Sequence, residues 1–142
     1  MLRSLAAQYI APGKAQVVYR HFAFIGQESQ LAAEASECAN EQGKFWEYSR
    51  YLFDHQAGEN RGQFGKSNLK LFAAQIGGLD VNAFNGCFDS GRNAARVRDE
   101  TEEGKRRGVR ATPSFFINGK FMEGLPEASQ FGAMIEAQLK SK

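Results

Sequence analysis

Apolar positions recur at helical spacing through most of this chain, and the breaks in that rhythm fall near its two ends. Leu2, Leu5, Ala6, Tyr9 and Ile10 follow the helical period until Pro12-Gly13 interrupts it, which predicts the end of a helix over residues 1 to about 10. No capping residue precedes this pattern, so the helix is expected to start before Met1. The run Ala15-Gln16-Val17-Val18-Tyr19-Arg20 is β-branched and aromatic and follows a Pro-Gly turn; it predicts an inner strand.

From Ser29 to about Arg107 the period is helical again. Leu31, Ala32, Ala35 and Cys38 mark a helix that ends near Gly43, and Phe45, Tyr48 and Leu52 share one face of the next, with Trp46 and Phe53 beside them. Leu69, Phe72, Ala73 and Ile76 fit the amphipathic template, with Ser67 as N-cap and Gly77-Gly78 as the stop. Asp80 is placed to cap a short helix carrying Val81, Phe84, Cys87 and Phe88, closed by Ser90-Gly91. A longer helix runs through Ala94, Val97 and Thr101, its Glu102–Arg106 and Glu103–Arg107 pairs in the favourable i, i+4 order. The second break comes at Ser114 to Asn118 and Lys120 to Glu123: two short apolar runs around Asn118-Gly119, a strong hairpin signal. Pro126-Glu127 then opens a final amphipathic helix through Phe131, Met134, Ile135 and Leu139. No internal repeat or low-complexity tract interrupts the series.

Composition narrows the class of protein. A length of 142 residues predicts one domain with a proper core, and twelve phenylalanines help to fill it. Eighteen basic and sixteen acidic residues leave a formal charge of +2, spread along the chain, which gives no reason to expect nucleic acid; Lys105-Arg106-Arg107 reads as a solvated helix end. No run approaches the length of a membrane span. The opening MLRSLAAQYIAPGK is too interrupted by Arg3, Gln8 and Tyr9 for an export signal.

Few residues are arranged for chemistry. His21 and His55 stand alone, without cysteines at zinc-ligand spacing, and no other cofactor is implied. Gly65-Lys66-Ser67 imitates the end of a phosphate loop, but Asn60 stands where its first glycine belongs. Glu34, Glu37, Glu41 and Glu47 read as a wet helix surface, and Phe45, Trp46, Tyr48, Tyr51 and Phe53 as core of the helical block. Cys38 and Cys87 are 87 − 38 = 49 positions apart, on apolar helix faces and away from helix starts. They fit either two reduced core thiols or one disulfide, and a regulatory thiol less well.

One feature is unusual for a core strand. In GVRATPSFFINGK, Pro113 stands just ahead of Phe115-Phe116-Ile117, although proline lacks the N–H that a ladder uses. That segment, together with VVYRHFAFIGQES, AAEASECANEQGKFWEYSRYLF and GLDVNAFNGCFDSG, in this order and over nearly the whole chain, resembles the DsbA-like branch of the thioredoxin superfamily.

The resemblance implies an α/β, thioredoxin-like fold with an inserted helical subdomain, shortened at its N-terminus. It implies a single DsbA-like domain over 1–142, with 1–28 and 108–142 as the thioredoxin-like part and 29–107 as the helical insertion. It further implies a βαββα-like frame whose hairpin lies near the 15–20 strand, a cis bond before Pro113, and Thr112 and Pro113 as substrate-binding residues. A disulfide between Cys38 and Cys87 is implied in the same way.

The family's Cys-x-x-Cys occurs nowhere in these residues, so no catalytic residue is assigned. The expected function is a bacterial thiol–disulfide oxidoreductase that forms or isomerises disulfides in exported, cysteine-containing polypeptides, periplasmic in the full-length family member. This chain alone is expected to be inactive, and a homodimer or strand exchange is expected to cover the missing central strand. The alternatives are a redox-dead peptide-binding or chaperone-like module and, more distantly, the glutathione-transferase-like isomerase branch.

Overall fold

The computed structural model describes residues 2–141 and divides them into two compact units. The first comprises residues up to Arg20 together with Lys105 onward; the second is His21–Gly104. Met1, where a helix start was at issue, lies outside the described residues.

The second unit is helical. Its elements are α2 (Gln27–Asn40), α3 (Phe45–Asp54), α4 (Lys66–Ala73), α5 (Val81–Ser90) and most of α6 (Ala94–Arg106). Helix α2 packs on α3, α4 and α5, and the apolar stripes read from the sequence meet in one core of Ala35, Cys38, Tyr48, Leu69, Phe84 and Phe88, with further apolar side chains around them. Burying such a large apolar residue contributes on the order of 1.5–3 kcal/mol. Tyr48 keeps its hydroxyl satisfied inside this core by donating to the Leu69 carbonyl at 2.8 Å, and burial pushes its phenol well above the ordinary range. Asp80 caps α5, its carboxylate accepting from the Ala83 amide at 3.0 Å, and Gly91 ends that helix in the left-handed conformation.

The first unit contains α1 (Leu2–Leu5), which continues as a π-helical turn over Ala6–Ile10, strands β1 (Ser114–Ile117) and β2 (Lys120–Glu123), and helix α7 (Ala128–Lys140). The strands form an antiparallel hairpin with Phe115 opposite Met122 and Phe116 opposite Phe121. Asn118 and Gly119 both have positive φ, 48° and 84°, as a tight primed turn requires. Phe115, Ile117 and Met122 face a core of Leu5, Tyr9 and Phe131. The opposite face carries the Phe116–Phe121 pair, ring centroids 5.1 Å apart, with the Arg107 guanidinium 3.8 Å from the Phe116 centroid.

Several expectations need correction. Residues 15–20 are not a strand: the sheet has two strands among the described residues, so no ladder recruits this run, and Val17, Val18 and Tyr19 are exposed. The βαββα frame is to that extent incomplete, although Ala15 still packs on the first unit's core. Helix α4 begins at Lys66 with Gly65 as its N-cap, so Ser67 lies inside the helix. Trp46 and Phe53 are exposed while Phe45 and Tyr48 are buried, because only the latter pair lies on the face turned to the neighbouring helices.

Candidate functional site

The hairpin's bonding pattern defines which backbone groups are offered outward. The Gly124 amide donates to the Pro113 carbonyl at 2.8 Å, so these two residues oppose each other at the head of the hairpin. Hydrogen-bonded and non-bonded pairs alternate in an antiparallel ladder. Pro113, Phe115 and Ile117 therefore aim their backbone groups at β2, and Ser114 and Phe116 aim theirs at the other edge. The missing N–H of Pro113 thus falls on the β2 side, at the end of the ladder. No strand of the described residues occupies the outer edge of β1. The Thr112–Pro113 bond is cis, and the Ser114 hydroxyl donates to the Ala111 carbonyl at 2.7 Å. An edge with Ser114 and Phe116 along it is one to which an extended segment can add as a strand.

Cys38 and Cys87, in the helical unit, are joined by a disulfide that fastens α2 to α5. The bond accounts for both cysteines of the sequence, so no thiol is free. Thr112 and Pro113 belong to the other unit.

The helical unit also holds a charged network that the sequence did not reveal. His21 Nε2 lies 2.8 Å from Glu37 Oε1, both side chains buried, and the His21 amide donates to Glu100 Oε2 at 2.8 Å. Arg96 joins the two acids, with Nη1 2.7 Å from Glu37 and Nε 3.3 Å from Glu100. Two residues on, the Ala23 amide donates to the Thr101 hydroxyl at 3.0 Å. The extended segment 21–23 is thereby fixed by helix side chains instead of a ladder. Glu34 and Glu37 are buried, against the expectation of a wet surface; Glu47 is exposed. Glu41, one turn from Glu37, pairs with Arg92, one turn from Arg96. The matched four-residue steps, Glu37/Glu41 against Arg96/Arg92, were the available signal. They could not be matched up without knowing that these α2 side chains meet the start of α6 and the turn before it. His55 is exposed at the end of α3, stacked on Tyr51. Among the described residues no group of acids, histidines and cysteines is arranged to hold a metal ion, and no helix is long and apolar enough to cross a membrane.

The model of the family described as Thioredoxin matches residues 1–137. The chain belongs to the thioredoxin family. It is 25% identical to the probable disulfide bond formation protein D of Bacillus anthracis, over 99% of this chain and 65% of that protein. It is 35% identical to the Na(+)/H(+) antiporter NhaA of Herminiimonas arsenicoxydans over 75% of this chain, but that stretch is 16% of the antiporter. The chain thus spans a small part of the antiporter relatives and about two-thirds of the disulfide-formation relative. Oxidised BdbD of Bacillus subtilis superposes with a TM-score of 0.86, covering 99% of this chain and 77% of that one at 21% identity. That likeness establishes the thioredoxin-like fold, helices with a small antiparallel sheet.

Proposed function

We propose that this chain is the peptide-receiving part of a DsbA-like thiol–disulfide oxidoreductase, which forms or isomerises disulfides in exported, cysteine-containing polypeptides. What carries this reading is membership of the thioredoxin family, whose model matches residues 1–137, with Thr112 and Pro113 standing at the head of the hairpin. In thiol–disulfide exchange a thiolate attacks a disulfide sulfur, and a polypeptide held extended presents its sulfur accessibly to that attack. Strand-like pairing along β1, beside Thr112 and Pro113, supplies that hold: the ladder fixes the backbone and leaves side chains to choose the partner. Thr112 and Pro113 therefore have binding roles and carry no step of bond exchange. The disulfide fits an oxidising, extracytoplasmic setting.

Because both cysteines are tied to each other, the 142 residues offer no dithiol, and we expect no turnover from them alone. An insulin-reduction assay tests this: a rate at the buffer level is expected, and sustained turnover would refute it. The same observation favours a second reading, a redox-dead peptide-binding or chaperone-like module. The two part company in a peptide-binding titration of the full-length protein. Under the first reading, affinity and mixed-disulfide capture depend on a cysteine in the peptide; under the second, serine-substituted peptide binds equally well with or without reductant.

A further inference from the structure

The surroundings of the Cys38–Cys87 bond are not those of an ordinary core disulfide. Cys38 and Cys87 are 1% and 3% exposed, and most of their neighbours are apolar. One side, however, is closed by polar groups that reach solvent. The Asn93 amide nitrogen stands 3.4 Å from Cys87 Sγ and 3.6 Å from Cys38 Sγ, so one group spans both sulfurs. It is held there by donating to Glu41 Oε1 at 3.1 Å, and that same oxygen lies 3.5 Å from Cys87 Sγ. Arg92 grips Glu41 from outside, with Nε 3.1 Å from Oε1 and a second, closer contact from Nη2 to Oε2. Glu41 and Arg92 are themselves solvent-exposed. The bond is therefore separated from water, on this side, by one layer of side chains.

We propose that Glu41, Asn93 and Arg92 form a polar cover that keeps the Cys38–Cys87 bond out of thiol exchange. Reduction of a disulfide begins with an attacking thiolate, which forms a bond to one sulfur while the S–S bond breaks and the other sulfur leaves as thiolate. A second thiol of the reductant then attacks the mixed disulfide; two electrons pass to the protein, each released thiolate takes up a proton, and the reductant becomes a disulfide. The cover opposes the first step twice. Of its two sulfur-facing atoms, the Asn93 nitrogen and a Glu41 oxygen, the carboxylate oxygen repels an approaching anion and disfavours a thiolate released at Cys87. Asn93 fills the space over both sulfurs. The hydrogen bond from Arg92 holds the Glu41 carboxyl below the usual carboxylate range, so the negative charge persists at any pH where thiolates exist. A protein that exchanges disulfides elsewhere gains from such insulation, since an accessible second bond would scramble with its substrates. The inference does not depend on that activity.

The test is reduction of the native 142-residue chain by dithiothreitol at increasing urea, followed by thiol labelling and mass spectrometry. In the wild type the rate is expected to follow global unfolding, rising steeply with urea and approaching zero without it. Glu41→Ala and Glu41→Ala/Asn93→Ala are expected to open a urea-independent route at least tenfold faster at zero urea, with the oxidised protein's urea midpoint little changed. Glu41→Gln preserves shape and serves if the others fold poorly. It should speed reduction by anionic 2-mercaptoethanesulfonate more than by cationic 2-aminoethanethiol. Fast, urea-independent reduction of the wild type would overturn the proposal. So would variants whose rates still match the wild type, because burial alone would then explain the protection.

Discussion

The two units of this chain solve the same problem of burial differently. The helical unit closes a large core in which Tyr48, Leu69 and Phe84 are fully shielded, and it adds a disulfide and a buried ionic network. Among its described residues the hairpin unit buries Leu5, Tyr9, Val109 and Phe131, with half-buried Phe115, Ile117 and Met122 beside them, and neither outer edge of its two-stranded sheet is laddered. Helices satisfy their backbone groups internally, so their packing faces can be wholly apolar. A strand satisfies only one edge with each neighbour, and a two-stranded sheet always keeps two edges to offer. The difference teaches that the helical unit is closed on itself, whereas the hairpin unit keeps backbone groups free of any ladder among the described residues.

The comparison can be broken first at the cores. Phe84→Ala should cost about 3–5 kcal/mol, the usual range for emptying a shielded aromatic site, and Phe131→Ala should cost less, because its site can collapse toward solvent. Urea unfolding monitored by circular dichroism measures both, and a larger loss from Phe131 would reverse the ranking. Removing the staple with Cys38→Ala/Cys87→Ala should cost about 4 kcal/mol for a loop of this length in the chain-entropy model; a change below about 1 kcal/mol would deny it a stabilising role. Next comes the ionic network. Glu37→Ala leaves the buried His21 ring without its partner carboxylate, and about 1–3 kcal/mol should be lost, read as a lowered urea midpoint. Phe121→Ala, on the exposed hairpin face, should move stability by no more than about 1 kcal/mol.

The smallest effect is electrostatic. Glu41 and Asp89 are both held below their ordinary values, by hydrogen bonds from Arg92 and Lys70 respectively. A carboxylate depressed in the folded state adds stability above its unfolded pKa and loses it as pH falls through the folded value. Urea midpoints should therefore decline as pH drops from about 5 toward 2–3, less so in Arg92→Ala and Lys70→Ala. An equal acid response in those variants would assign the decline to other groups.

Legibility in the sequence followed the range of the interactions. The helical stripes, the Asp80 cap and the Asn118-Gly119 turn were readable because each depends on residues a few positions apart. The Val17–Tyr19 run misled because a β-branched pattern reports fitness for a ladder, whereas a strand also needs a neighbour. Glu37 misled for a related reason: a carboxylate looks solvated until the basic residue that will meet it, here Arg96 some sixty positions later, is brought alongside. Of the candidate site, Thr112 and Pro113 were nameable only through resemblance. The backbone orientation of Pro113 follows from a single bond, Gly124 to Pro113, that no local pattern encodes.

The most direct test of the open edge is amide hydrogen exchange by NMR, with and without a cysteine-containing peptide. Added peptide should slow exchange at Ser114 and Phe116, whose amides face outward, and leave the amides of α2 through α5 unchanged. Protection confined to the helical unit, or none at either of these two amides at saturating peptide, would contradict the assignment of β1 as the receiving strand.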